Sequence, residues 1–119
     1  LVLKVTITNP QQDTSTSTIL GADAEIASWQ QILMEHGREL QANLLKVSHH
    51  GSQHGTDPEV LAAIRPQYSI ISVGSNAYGH PNASTLELIQ GYTPGRVFRT
   101  DIDGTCIFES DGIDWNLVS

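Results

Sequence analysis

Along the first residues, Leu1, Leu3, Val5 and Ile7 alternate with Val2, Lys4, Thr6 and Thr8, the period-two pattern of a half-buried strand. Residues 9–13 form a polar turn containing Pro10, and a Thr- and Ser-rich second strand over 14–20 closes on Ile19-Leu20 ahead of Gly21. Over 23–36 the period becomes helical, with Ile26, Trp29, Ile32 and Leu33 on one face, Asp23 at the N-cap place and Gly37 as the stop. A strand over 43–48 empties into a histidine-rich loop that runs to Thr56. A short helix from Asp57 follows, with Pro58 at its first position, Val60, Leu61 and Ile64 facing the core, and Arg65-Pro66 ending it.

Residues 68–73 are a nearly continuous apolar run of the buried parallel-strand type. A loop over 74–82 leads to a helix over 83–90, then to short strands over 96–99, 105–109 and 113–117. Asp103-Gly104 and Asp111-Gly112 read as hairpin-type turns between those strands. The order ββαβαβαβββ predicts an α/β fold, a mixed β-sheet with flanking helices.

At 119 residues the chain is expected to be a single domain, 1–119. An apolar fraction of 39% and a mean hydropathy of -0.18 describe an ordinary globular sequence. No apolar run approaches the ~20 residues that span a bilayer, so the chain reads as soluble, either cytoplasmic or the soluble part of a membrane-associated protein. Residues 1–7 lack the basic region and cleavage site of a signal peptide and read as a strand already under way, cut from something longer. The lone cysteine, Cys106, excludes an internal disulfide and a cysteine-based zinc site; its setting is that of a small buried strand residue. A formal charge of -7, with only six dispersed Lys and Arg, argues against broad phosphate-backbone binding. A nucleic-acid substrate would have to be held locally.

Four of the five histidines, His49, His50, His54 and His80, fall between Leu44 and Pro81. His49-His50-Gly51-Ser52 follows a buried strand, at the carboxyl edge where α/β proteins build sites. Two further segments lead to the same edge: Gly21-Ala22-Asp23-Ala24-Glu25 and Asn76-Ala77-Tyr78-Gly79-His80-Pro81. Taken singly, Asp23 is a helix cap, His54 a loop residue and His80 a turn residue before proline.

Together with Val2 to Val5 and Arg99-Thr-Asp-Ile-Asp-Gly-Thr105, these segments resemble the metallo-β-lactamase superfamily, in particular the hydrolase domain of ComEC-type DNA-uptake competence proteins. The resemblance implies a binuclear zinc or manganese site that activates water for phosphodiester or related ester hydrolysis. Two cations about 3.5–4 Å apart clamp the attacking and leaving oxygens and lower the pKa of bound water; imidazole and carboxylate suit such ions. By that pattern Asp23 would bridge the metals and His50 would ligate the second. His49 would lie beside the bound phosphate or serve as the alternative ligand, and His80 would reach the phosphate or assist the leaving group. Ser52 and His54 are expected at the substrate-binding rim.

The chain departs from the family in one decisive respect. It contains no His-x-His-x-Asp-His run and no further His between such a run and Asp23. A smaller departure, Ala22 where relatives usually have Gly, tightens the turn without touching the ligand. The resemblance therefore covers the C-terminal half of a four-layer αββα sandwich. Asp23 with one or two histidines cannot close a binuclear site, and a mononuclear site from Asp23, His50 and His49 or His80 would bind weakly. Two functions follow as expectations. One is part of a metal-dependent, phosphodiesterase- or nuclease-like hydrolase, incomplete without its N-terminal half. The alternative is a non-catalytic α/β binding or assembly module that keeps the family loops. A homodimer or the missing half is expected over the open sheet face, near Leu1, Leu3, Val5, Ile70 and Val73.

Overall fold

Leu3–Asn9 (β1) and Thr14–Leu20 (β2) pair antiparallel along their full length, from Leu3 opposite Leu20 to Asn9 opposite Thr14, in a computed structural model that describes residues 1–118. Leu44–Lys46 (β3), Tyr68–Ile71 (β4) and Arg96–Arg99 (β5) then add in parallel, giving one mixed sheet in the order β1-β2-β3-β4-β5. Parallel neighbours need a crossover, and each is a helix: Ile26–His36 (α1), Pro58–Ile64 (α2) and Ala83–Tyr92 (α3). The α/β class and the mixed sheet with flanking helices are as the periodicities predict.

The register sorts the two faces. Ile19, Leu45 and Ser69 lie in line across β2, β3 and β4, and with Ile71 they are buried against the three helices. Trp29 of α1, Val60, Leu61 and Ile64 of α2 and Ile89 of α3 complete this core. Ser69 is fully buried but satisfied, its hydroxyl 2.8 Å from that of Thr93. The helices are capped as their sequences ask: Asp57 accepts from Glu59 N and Asn82 from Ser84 and Thr85 N. Left-handed Arg65 ends α2 just before Pro66.

The opposite face carries Leu3, Val5, Leu20, Lys46, Ile70 and Phe98. A separate two-stranded sheet, Phe108–Ser110 (β6) and Trp115–Leu117 (β7), covers only part of it. Phe108 packs on Phe98 and Tyr68, ring centroids 5.2 and 5.9 Å apart. Gly112, at φ +87°, turns the hairpin so close to β1 that a Cβ there would meet Asn9 N at 2.6 Å. The rest of the face stays open: Leu3 is 49% and Leu20 40% exposed.

Several boundaries move. α1 begins at Ile26 with Glu25 as N-cap, not at Asp23, because a turn closed by Ala24 N to Gly21 O takes up the intervening residues. The apolar run ending at Val73 is a strand only to Ile71, and Val73 packs toward the helix-side core, not on the open face. Thr100–Asp103 forms a single helical turn (α4) after β5, so Asp103-Gly104 does not join paired strands. Cys106 consequently precedes the last hairpin and is only half-buried.

Ile71 sits at the centre of the helix-side core. Ile71→Ala is expected to cost about 2–5 kcal/mol, read as a lowered urea midpoint with an unchanged slope.

Candidate functional site

Because β2, β3 and β4 run parallel, the segments that leave their carboxyl ends emerge along one edge. These are 21–25, 48–56 and 72–82, the three that carry Asp23, the histidine loop and His80. Backbone bonds stitch them together: Gly21 N to Lys46 O at 3.1 Å, His49 N to Ala22 O at 2.8 Å, and Asn82 N to Gly51 O at 3.0 Å. A Cβ on Gly21 would meet Ser48 Cβ at 2.8 Å, so the first two strand exits touch only because residue 21 lacks a side chain.

The exit from β3 is a tight left-handed turn. His49 (φ 52°, ψ 36°), His50 (φ 55°, ψ 27°) and Gly51 (φ 78°) are consecutive residues at positive φ, and Ala22 (φ 49°) lies against them. For a residue with a Cβ this conformation costs roughly 1–2 kcal/mol. Only glycine fits at 51, where a Cβ would also strike Pro81 Cβ at 2.7 Å. Ser48 holds the turn: buried, its hydroxyl accepts from Trp29 Nε1 at 3.0 Å and donates to Gly55 O at 2.6 Å. The turn carries two imidazoles on one short segment, His50 exposed and His49 half-buried.

His50 Nδ1 donates to Ser72 O at 2.6 Å, which leaves Nε2 as the lone-pair nitrogen of the neutral ring. His80 lies between the other two rings, stacked on His50 with centroids 6.5 Å apart and edge-on to His49 at 5.7 Å. His49 Nε2 is 3.8 Å from Glu25 Oε1, and its buried Nδ1 has no partner among the described residues. His50, His80, Val73, Asn76 and Tyr78 line a shallow cleft of about 220 Å³.

The loop bearing His80 is built by Asn76. Its Oδ1 accepts from Tyr78 N and His80 N, and its Nδ2 donates to Gly74 O and His80 O, all within 2.8–3.1 Å. Thr100 pins the loop's start: its hydroxyl donates to Val73 O and accepts from Val73 N. On either side of Thr100, Arg99 grips Asp101 through Nε and Nη2 at 3.0 and 2.8 Å. These hydrogen bonds hold the Asp101 carboxyl below its ordinary value and raise the Arg99 guanidinium.

The topology thus gathers Asp23, His49, His50 and His80 at one edge. Asp23 stands exposed two residues ahead of the α1 N-cap. His54 is exposed beside Gln53, its carbonyl accepting from Ile26 N, and so lies at the rim. Ser52 is 3% exposed and works inside the loop, its Oγ accepting from His54 N at 3.1 Å. Among the described residues no three His, Cys, Asp or Glu side chains converge on a metal-binding point. His50 Nε2 is left without a hydrogen-bond partner among the described residues. Ser48, Asn76 and Thr100 carry hydrogen bonds of these loops that no period or motif in the sequence assigned to them. A Ser directly before His-His and an Asn opening a Gly-containing loop were the available signals.

The site defines an α/β chain with an imidazole cluster at the carboxyl edge of its parallel strands. By sequence it is 40% identical over 90 residues, 75% of its length, to ComE operon protein 3 of Bacillus subtilis. It is 33% identical over 81 residues to Recombination protein 2 of Haemophilus influenzae and 26% over 91 residues to Competence protein ComA of Neisseria gonorrhoeae. Two of these three relatives are named for competence and for recombination. The chain spans about a tenth of their length, 11%, 10% and 13% respectively. No family model and no solved structure matches it. Among the described residues no helix is long and apolar enough to cross a membrane.

Ser48→Ala removes the partner of two buried groups, at a cost of about 1–3 kcal/mol. The expected result is a lowered urea midpoint together with a shifted Trp29 indole N–H resonance. Asp101 should titrate below 3.8 in carboxyl-detected NMR and move back toward that value in Arg99→Gln. Because its folded value is depressed, the ion pair contributes above the unfolded value and is lost as pH falls through the folded one.

Proposed function

We propose that this segment is the C-terminal half of a metallo-β-lactamase-type hydrolase, cleaving phosphodiesters within a competence protein that handles DNA. The observation that carries the reading is the convergence of His49, His50 and His80 on a left-handed turn whose backbone strain is locked by Ser48. Strain of this kind collects where geometry serves a site. In this reading His50, with Nδ1 held by Ser72 O, offers Nε2 as a metal donor alongside Asp23. His49 and His80 face the substrate phosphate, with His54 at the rim and Ser52 shaping the loop. The zinc or manganese would draw its remaining ligands from an N-terminal half, which would also cover the open face around Leu3, Val5 and Leu20.

That same open face supports a second reading, a non-catalytic module that assembles through it as a homodimer. Exposed apolar residues in a row on one sheet face are the observation in its favour.

The test uses bis-p-nitrophenyl phosphate and single-stranded DNA with Mn²⁺ or Zn²⁺. A chain joining this segment to its N-terminal half should turn over, and His50→Ala or His80→Ala should each lower the rate about 100-fold or more. The segment alone should stay near background. Unchanged turnover in His50→Ala, His80→Ala and Asp23→Ala would refute the site. A chain that is inactive with both halves present, while the segment dimerises in sedimentation, would favour the assembly module.

A further inference from the structure

The two outer edges of the five-stranded sheet are unlike. β5, at one end, is guarded. Two of its four residues are arginines, Arg96 is paired with Asp103 at 2.7 Å, and the backbone N–H of Arg99 donates to Asp103 Oδ2 at 2.8 Å. The single turn of α4 thus closes that edge. Strand edges are blocked in this way because their unpaired N–H and C=O groups invite another strand.

β1, at the other end, has none of these devices. Its one neighbour is β2, and their register runs unbroken over seven residues with no proline and no bulge. Leu3, Lys4, Val5 and Thr6 are exposed. The C-terminal hairpin reaches the strand at its far end, Gly112 against Thr8 and Asn9, and Asn9 Nδ2 donating to Asp111 O. The one charge, Lys4, is drawn aside, its Nζ donating to Glu39 O at 2.7 Å. What remains from Leu3 to Ile7 is a β-branched, pairing-competent edge.

Charge selects the occupant. The chain carries 13 acidic residues against six basic ones, so copies of it repel over most of their surface. None of the 13 lies in residues 1–12 or 14–22, the stretch that makes β1 and β2. A surface depleted of charge is where two copies meet at least cost. Antiparallel two-fold pairing about Val5 sets Leu3 opposite the partner's Ile7, Val5 opposite the partner's Val5 and Lys4 opposite the partner's Thr6. Apolar residues then meet apolar ones on the outer face, and no two like charges stand opposite each other.

We propose that a second copy of this chain pairs with the free edge of β1, antiparallel about Val5, joining two five-stranded sheets into one. The guarded β5 edges are then the ends of the joined sheet, so the assembly closes at two copies. The contact runs along the sheet and not over its open face. It is therefore distinct from the face-to-face module, and it does not rest on the hydrolase reading.

Sedimentation equilibrium from about 10 µM to 1 mM should show the mass rising from 12.9 kDa toward twice that value and no further. Val5→Lys sets two lysines face to face on the two-fold axis and should raise the dissociation constant about 5-fold or more. Val5→Glu should do the same. Mixed in equal amounts, these two variants place Lys against Glu and should associate more tightly than either alone. Leu20→Lys, on the same face but one strand in from the edge, should leave the dissociation constant within about 2-fold. Circular dichroism checks that each variant is folded.

The proposal is overturned if the parent stays monomeric to about 1 mM or grows beyond two copies. It is equally overturned if folded Val5→Lys associates as the parent does, or if the mixed variants gain nothing over either alone. Loss of the dimer in Leu20→Lys as much as in Val5→Lys would place the contact on the open face and overturn it too. None of these readouts involves hydrolysis, so their failure leaves the hydrolase reading standing, and an inactive hydrolase leaves this one standing.

Discussion

The buried hydroxyl of Ser48 is the contact on which the site depends. β3 is only three residues long, and after Val47 and Ser48 the backbone passes through three left-handed residues, two of which carry imidazoles. Nothing in the intrinsic preferences of histidine favours that path. It persists because Ser48 sits between the indole of Trp29 and the carbonyl of Gly55 and satisfies both. The strain at His49 and His50 is therefore supported from the helix-side core, where Trp29 is buried. Packing, strain and the placing of the histidines are one structural fact.

The same logic extends along the edge. Three loops meet there because two absences of bulk permit it, Gly21 against Ser48 and Gly51 against Pro81, while Gly55 lets the histidine loop fold back on itself, 3.0 Å from the Cβ of His49. Close approach converts separate strand exits into one surface. The side-chain bonds of Asn76 and the Thr100 clamp on Val73 then hold the His80 loop against it. Of the three histidines, His50 is the one with a fixed tautomer, since a carbonyl can only accept.

The fold was legible because its periods are clean. Alternation in residues 1–7, the helical spacing of Ile26, Trp29, Ile32 and Leu33, and the apolar run after Tyr68 each admit one element. The errors fall where local bonds outweigh period. Asp23 is a good cap residue, but the Ala22 turn pushes the helix start to Ile26. Thr100 follows a strand, yet its hydroxyl serves Val73 and the chain curls into a helical turn. The site was legible as a gathering of residues, because strand order alone sends Asp23, His49, His50 and His80 to one edge. Its machinery was not, since Ser48 works through the Trp29 indole 19 residues away, Thr100 through Val73 27 residues away, and Asn76 through a loop geometry no period marks.

The two faces of the sheet impose different chemistry. The helix side is closed and apolar, which leaves recognition to the edges and to the outer face. At the carboxyl edge the available groups are imidazoles and carboxylates, polar and able to carry charge. At the amino end they are the amides of Asn43, Gln67 and Asn116 and the carboxylate of Asp114, with no cation in the lining. A chain of net charge -7 cannot draw a polyanion by its overall field. In the proposed hydrolase reading a phosphate would therefore be held locally, at the histidine edge, and not by the field of the whole chain.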